Sequence, residues 1–204
     1  MSARGVRAFV AVFPPPSVAE GIGAALEALR SPGDGIAWVR GANLHYTMRF
    51  LGELDPRRLE AARSAVRAAA GGRGVAPFAM RLGGPGAFPG PARPRVLWLG
   101  AAEGAAPLTL LAGALDDALV RAGFGRAERP FTPHLTTGRV RAGGGEAARA
   151  AAARFLAAAW PASEGFEVRE LQLVSSTLAP GGSRYEPLER AILGGGSAGA
   201  GGAA

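Results

Sequence analysis

The sequence predicts an α+β fold built on antiparallel sheets with helices packed outside them. Strand-like and helix-like segments are mixed without strict βαβ alternation, and no Gly-rich dinucleotide fingerprint joins a strand to a helix. In addition, each half of the chain places a helix ahead of a strand that carries a histidine, which suggests an internal duplication. At 204 residues the chain suits one folded unit, either a single core or two small lobes packed closely together. Residues 1–193 are read as that unit.

The elements follow in order. Arg7–Phe13 is apolar, β-branched and aromatic, so it reads as a buried strand, and Ser17 opens a helix to about Arg30 that Ser31–Gly35 breaks. Ile36–Val39 is a short strand and His45–Leu51 a stronger one, ending at Gly52. Asp55 then caps a helix with Pro56 in its first turn, apolar and Ala positions at helical spacing to Ala70, and Gly71-Gly72 as its stop. Phe78–Leu82 and Val96–Leu99 read as strands separated by a long Gly/Pro loop holding Phe88. In the second half, Leu108–Ala122 is a helix closed by Gly123, and Phe131–Val140 contains a strand. Glu146–Ala159 is an Ala-rich helix, and Phe166–Thr177 and Tyr185–Ile192 are strands. From Gly194 to the end the chain is a Gly/Ala/Ser tail of low complexity, expected to be disordered.

Composition removes whole classes of chemistry. There is no Cys, which excludes disulfides, thiolate metal sites and cysteine nucleophiles and makes the cytoplasm the default compartment. All 23 basic residues are Arg. Without Lys, a phosphate-loop NTPase, a Schiff-base enzyme and a ligase working through a lysyl–nucleotide are all excluded. No apolar run approaches the roughly 20 residues of a membrane span, and the short apolar stretch after Arg7 leads into prolines with no cleavage site, so it reads as a strand and not a leader. The net charge of +7 favours a polyanionic partner such as RNA, and compositional bias toward Arg explains it equally well.

The 2 histidines share one pattern: His45-Tyr46-Thr47-Met48 and His134-Leu135-Thr136-Thr137. Residues two apart on a strand share a face, so each imidazole is presented beside a Thr hydroxyl while Tyr46 or Leu135 packs behind. If the halves meet about a pseudo-twofold axis, the four groups converge on one cleft suited to a phosphodiester. One imidazole would take a proton from water, the other would protonate the departing oxygen, and the hydroxyls would hold the non-bridging oxygens. An imidazole with an ordinary pKa near 6.5 is available in both protonation states at neutral pH. Two distant histidines without Cys or clustered carboxylates fall short of a metal site, so no metal is expected.

The chain resembles the two-histidine phosphoesterases, and within them the RNA 2′,3′-cyclic phosphodiesterases once named 2′-5′ RNA ligases. The resemblance runs from Arg7 to Leu188. It is carried by RAFVAVFPP, NLHYTMRFLGEL, APFAMRLGGPGAFPGPARPRVLWLG, RPFTPHLTTGRV and SSTLAPGGSRYEPL. It implies a two-lobed α+β fold around a central basic groove, and hydrolysis of a terminal RNA 2′,3′-cyclic phosphate to a 2′-phosphate with neither metal nor nucleotide cofactor. It also implies RNA or oligonucleotide 3′ ends as partners and a monomeric protein. His45 would be the proton donor, His134 the acceptor, and Thr47 and Thr136 the phosphate ligands; a symmetric pair can exchange these roles. Met48 and Thr137 depart from the family's usual Leu after the Thr, and Thr137 puts a polar group where packing is expected.

Arg139 matches a family arginine that assists at the phosphate. It stands five residues after His134 and should face away from it, so a bulge is required. Arg49 shares a face with His45 and Thr47 by strict alternation and would line the groove. Arg129 reads equally as a phosphate contact or a solvated loop charge. Phe88 is a candidate platform for a terminal base. Trp38 and Trp98 read as core, and Tyr185 stands open between core and site.

Overall fold

The computed structural model describes residues 5–72, 74–160, 165–179 and 182–195. Among these are β1 (Val6–Val12), α1 (Pro16–Leu29), β2 (Ile36–Trp38), a 3₁₀ turn (Gly41–Asn43), β3 (Tyr46–Leu54), α2 (Pro56–Ala70), β4 (Phe78–Phe88) and β5 (Val96–Glu103). They continue with α3 (Ala105–Arg121), β6 (Leu135–Val140), α4 (Gly145–Ala157), β7 (Phe166–Val168), β8 (Glu170–Ala179) and β9 (Gly182–Ile192). The strands run in the order β7-β4-β5-β6-β3-β1-β8-β9, with β2 also on β6, and every recorded pairing is antiparallel.

Only Arg169 separates β7 from β8, although they stand near opposite ends of that order. Two Cα steps span under about 8 Å, so the sheet must curl until its ends nearly meet. The α+β expectation is met by this curled half-barrel with helices outside. One lobe holds β1, β3, β8 and β9, the other β2, β4, β5, β6 and β7.

The core lies between the sheet's convex face and the helices. Val10, Tyr46, Leu99, Leu135 and Leu173 of the strands share one buried cluster with Val66 of α2, Leu115 of α3 and Phe155 of α4. A second cluster sits on the concave face, with Phe9, Ala11 and Val174 buried and Phe13 and Tyr185 packed against them. Helix α2 shows how local sequence secures this. The Asp55 carboxylate accepts from the Arg58 N–H (2.8 Å), Pro56 stands where no N–H is needed, and Ala62, Ala65, Val66 and Ala69 form the buried stripe. Such a cap is worth about 1 kcal/mol.

Three readings of the sequence need correction. β4 runs unbroken through Gly83-Gly84-Pro85-Gly86 to Phe88, so the long loop shrinks to 89–95. β7 covers only Phe78–Met80, which leaves Pro85 on an edge where a missing N–H is harmless. β3 continues past Gly52, which takes φ +75° beside a bulge and does not end the strand. Phe166–Thr177 is two strands, because Arg169 carries the chain from one end of the sheet to the other. Of the tail, 196–204 lie outside the described residues. Gly194, expected to begin it, still donates its N–H to the Ala70 carbonyl (3.1 Å).

Candidate active site

The two lobes meet where β3 pairs with β6, in the register Tyr46 opposite Leu135. Both side chains are fully buried on the helix side, and the Tyr46 hydroxyl donates to the Gly100 carbonyl (3.2 Å). Their neighbours therefore turn into the groove. Antiparallel pairing sets His45 across from Thr136 and Thr47 across from His134, so the His-x-Thr motifs face one another about a local twofold.

Each imidazole is clamped in the same way. His45 Nδ1 lies 2.7 Å from the Asn43 carbonyl oxygen, and His134 Nδ1 lies 2.7 Å from that of Thr132. A carbonyl only accepts, so Nδ1 carries the hydrogen in both rings and Nε2 is the nitrogen left to exchange protons. The Asn43 side chain also donates to the Ser183 carbonyl (2.8 Å), tying the loop below His45 to β9. Aromatic rings complete both clamps. Phe9, Phe13 and Tyr185 surround His45 at centroid distances of 4.9, 5.4 and 5.4 Å, Tyr185 edge-on. Phe88 meets His134 edge-on at 5.1 Å, with Trp98 at 6.5 Å.

Burial, reinforced by the charges of Arg139 and His134, lowers the His45 pKa from its ordinary 6.5 to about 4, while the bond to Asn43 pulls the other way. Two conclusions follow. His45 is neutral at pH 7, and the two imidazoles and Arg139 share one electrostatic environment.

The bulge that Arg139 requires is present. On β6, Thr136 pairs with Trp98 and Gly138 with Leu97, which makes Thr137 the extra residue and returns Arg139, opposite Val96, to the groove face. Arg49 is the opposite case and corrects the alternation argument. Met48 is an extra residue on β3, so Thr47 pairs with Ala11 of the groove cluster while Arg49 pairs with Val10 of the helix-side core. Arg49 turns away from the groove and is bound by the Asp116 carboxylate of α3 and the Gly125 carbonyl. Arg129 is exposed on the loop before β6, without an ion pair among the described residues. Of these three arginines, Arg139 is the one whose charge lowers the His45 pKa.

Trp38 packs on Phe155 and donates to Asp34 (2.7 Å), as a core-side residue should. Trp98 does not belong with it. Its ring leans on Phe88 at 5.1 Å and sits across from Thr136 on the groove face. The ring lies so close to Gly86 that a Cβ there would come within 2.2 Å of Cζ2. Sequence reasoning missed Phe9, Phe13 and Asn43. Phe9 and Phe13 carry a readable signal, since with Ala11 they repeat at period two along β1 and the residue just past it. Among the described residues, no three His, Cys, Asp or Glu side chains converge as a metal site, and no helix is long and apolar enough to cross a membrane.

The fold of this chain is shared by solved structures described as a phosphoesterase and as LigT. One crystal structure described as a phosphoesterase superposes with TM-score 0.70 at 29% identity, covering 93% of this chain and 98% of its own. Escherichia coli LigT in complex with 3′-AMP gives 0.69 at 28%, with the same coverage. The chain belongs to the 2′-5′ RNA ligase superfamily, whose family model matches residues 14–179. Among its relatives is the RNA 2′,3′-cyclic phosphodiesterase of Methanothermobacter thermautotrophicus, 34% identical over 90% of this chain and 97% of the relative.

Proposed function

We propose that the protein hydrolyses 2′,3′-cyclic phosphates at RNA 3′ ends to 2′-phosphomonoesters, using its two imidazoles without a metal. The carrying observation is the strand pair at Tyr46 and Leu135, which turns two identically clamped histidines and two Thr hydroxyls into one groove. The name and near-complete coverage of the Methanothermobacter relative support the substrate class.

In this reading His134 Nε2 takes a proton from water as its oxygen bonds to phosphorus. The bond to the 3′ oxygen breaks, and His45 Nε2 supplies the proton that makes a 3′-hydroxyl, leaving the phosphate on the 2′ oxygen. Each transfer is worth ~10²–10⁴ in rate. Thr47 and Thr136 donate to the non-bridging oxygens, and Arg139 binds the phosphate charge. Burial, with the positive field added to it, keeps His45 neutral; the anion offsets that field, so substrate itself helps to prepare the acid. Phe88, beside His134, receives the terminal base. All these groups come from one chain, so a monomer suffices.

The test is incubation of an oligonucleotide ending in a 2′,3′-cyclic phosphate, with and without EDTA. Gain of one water with the phosphate on the 2′ oxygen is expected in both. Loss of turnover in EDTA would overturn the metal-free mechanism, and no turnover in either would overturn the substrate.

A further inference from the structure

The two bulges make Phe50 the symmetry mate of Arg139. Each stands five residues after its histidine, two after the extra residue of its strand, and each returns to the groove face. Phe50 pairs with Phe9 of the groove cluster and touches its ring at 6.0 Å, and Phe9 in turn touches His45. Unlike every other aromatic near the histidines, Phe50 is 61% exposed. Burial does not account for a phenyl ring held in the open on a groove wall.

Because β3 and β6 are antiparallel, Phe50 and Arg139 extend from the central pair toward opposite ends of the groove. The Arg139 end carries the cation beside His45. The Phe50 end carries a bare ring and, beyond it, Arg7. Arg7 shares the face of Phe9 by strand alternation, is exposed, and makes no ion pair among the described residues, with Glu53 as its cross-strand neighbour. A ring followed by a guanidinium along an open wall is the arrangement that takes single-stranded nucleic acid, base on ring and phosphate on cation.

We propose that Phe50 is the stacking platform for the nucleotide on the 5′ side of the one whose phosphate reacts, making the protein prefer chain ends over free nucleotides. This rests on the cyclic-phosphate reading above. Phe50 touches no reacting atom, so its effect should appear only when an upstream nucleotide is present.

The experiment compares wild type, Phe50→Ala and Phe50→Trp on a mononucleoside 2′,3′-cyclic phosphate and on a trinucleotide with the same terminus. Binding of a 2′-phosphate-terminated trinucleotide is measured in parallel. For Phe50→Ala, kcat/KM on the trinucleotide should fall roughly 5- to 150-fold, mainly through KM, the span that loss of one base–aromatic stack produces. The mononucleotide should be unaffected, and Phe50→Trp should retain both activities. Equal loss on both substrates would overturn the proposal, because the ring would then act through Phe9 on His45; so would no loss on either. If wild type hydrolyses neither, the cyclic-phosphate reading fails by itself, and the trinucleotide's affinity for wild type against Phe50→Ala still decides the stacking role.

Discussion

Met48 and Thr137 occupy equivalent places in their strands: each is the extra residue of a β-bulge, three positions after a histidine. Past each bulge the alternation of faces is reversed. That reversal sends Arg49 to the helices and brings Phe50 and Arg139 back to the groove.

Thr137 is fully buried and its hydroxyl has no hydrogen-bond partner among the described residues. An unsatisfied buried polar group costs roughly 1–3 kcal/mol, so Thr137→Val, of nearly equal shape, should stabilise the protein by about 1 kcal/mol or more. Urea unfolding should show a higher midpoint at unchanged slope. A lower midpoint would mean that the hydroxyl is satisfied.

Arg49 and Arg139 should separate stability from chemistry. The Arg49–Asp116 pair is mostly buried, with side chains 18% and 16% exposed, so Arg49→Ala should cost roughly 1–3 kcal/mol of stability and leave kcat/KM unchanged. Arg139→Ala should leave stability unchanged and lower kcat/KM about 10- to 100-fold, the worth of a charge-assisted phosphate contact. Steady-state kinetics and denaturation on both variants test the pair of statements, and the reverse pattern would return Arg49 to the groove.

The acid and base should be distinguishable by leaving group. A p-nitrophenyl phosphodiester departs without needing a proton, so it should restore much of the rate lost in His45→Ala and little of that lost in His134→Ala, a gap of ~10²-fold or more. If His134→Ala is the variant rescued, the two roles are exchanged.

Stability should depend on pH through His45. Between pH 6.5 and about 4 the unfolded chain binds a proton that the folded protein refuses, so stability rises with pH across that window and is lost as the pH falls through it. The full span is on the order of 3 kcal/mol. His45→Gln should flatten that part of the profile, and an unchanged profile would show that His45 is solvated.

Gly86→Ala should disturb the site from a distance. The new methyl would meet the Trp98 ring at 2.2 Å and push it toward Phe88 and His134. Overpacking of this kind costs roughly 1–3 kcal/mol, and kcat should fall with it. Thermal unfolding and kinetics check both effects; unaltered kcat would mean that Trp98 does not help seat His134.

Much of this site was legible in the sequence because His-x-Thr on a strand is a strictly local statement: parity alone puts His45 with Thr47 and His134 with Thr136. What lay beyond the bulges was not legible. A bulge is a matter of register between two strands, and nothing in the residues Met48 or Thr137 announces it. Hence alternation alone puts Arg49 on the wrong face, and only the family resemblance sets Arg139 against its apparent parity. The reading of β4 as two segments has a different cause, since Gly and Pro punctuate most chains and only the edge position of Pro85 lets the strand continue. Arg169 failed for scale, because one residue is too short a signal to separate β7 from β8.

Both imidazoles are held through Nδ1 by main-chain oxygens two residues upstream, and no side chain takes part in that bond. Replacing the residue at 43 or 132 cannot remove its carbonyl, so the tautomer travels with the course of the backbone. The orientation of both rings is thereby fixed by where the two strands run and is independent of which side chains stand at positions 43 and 132.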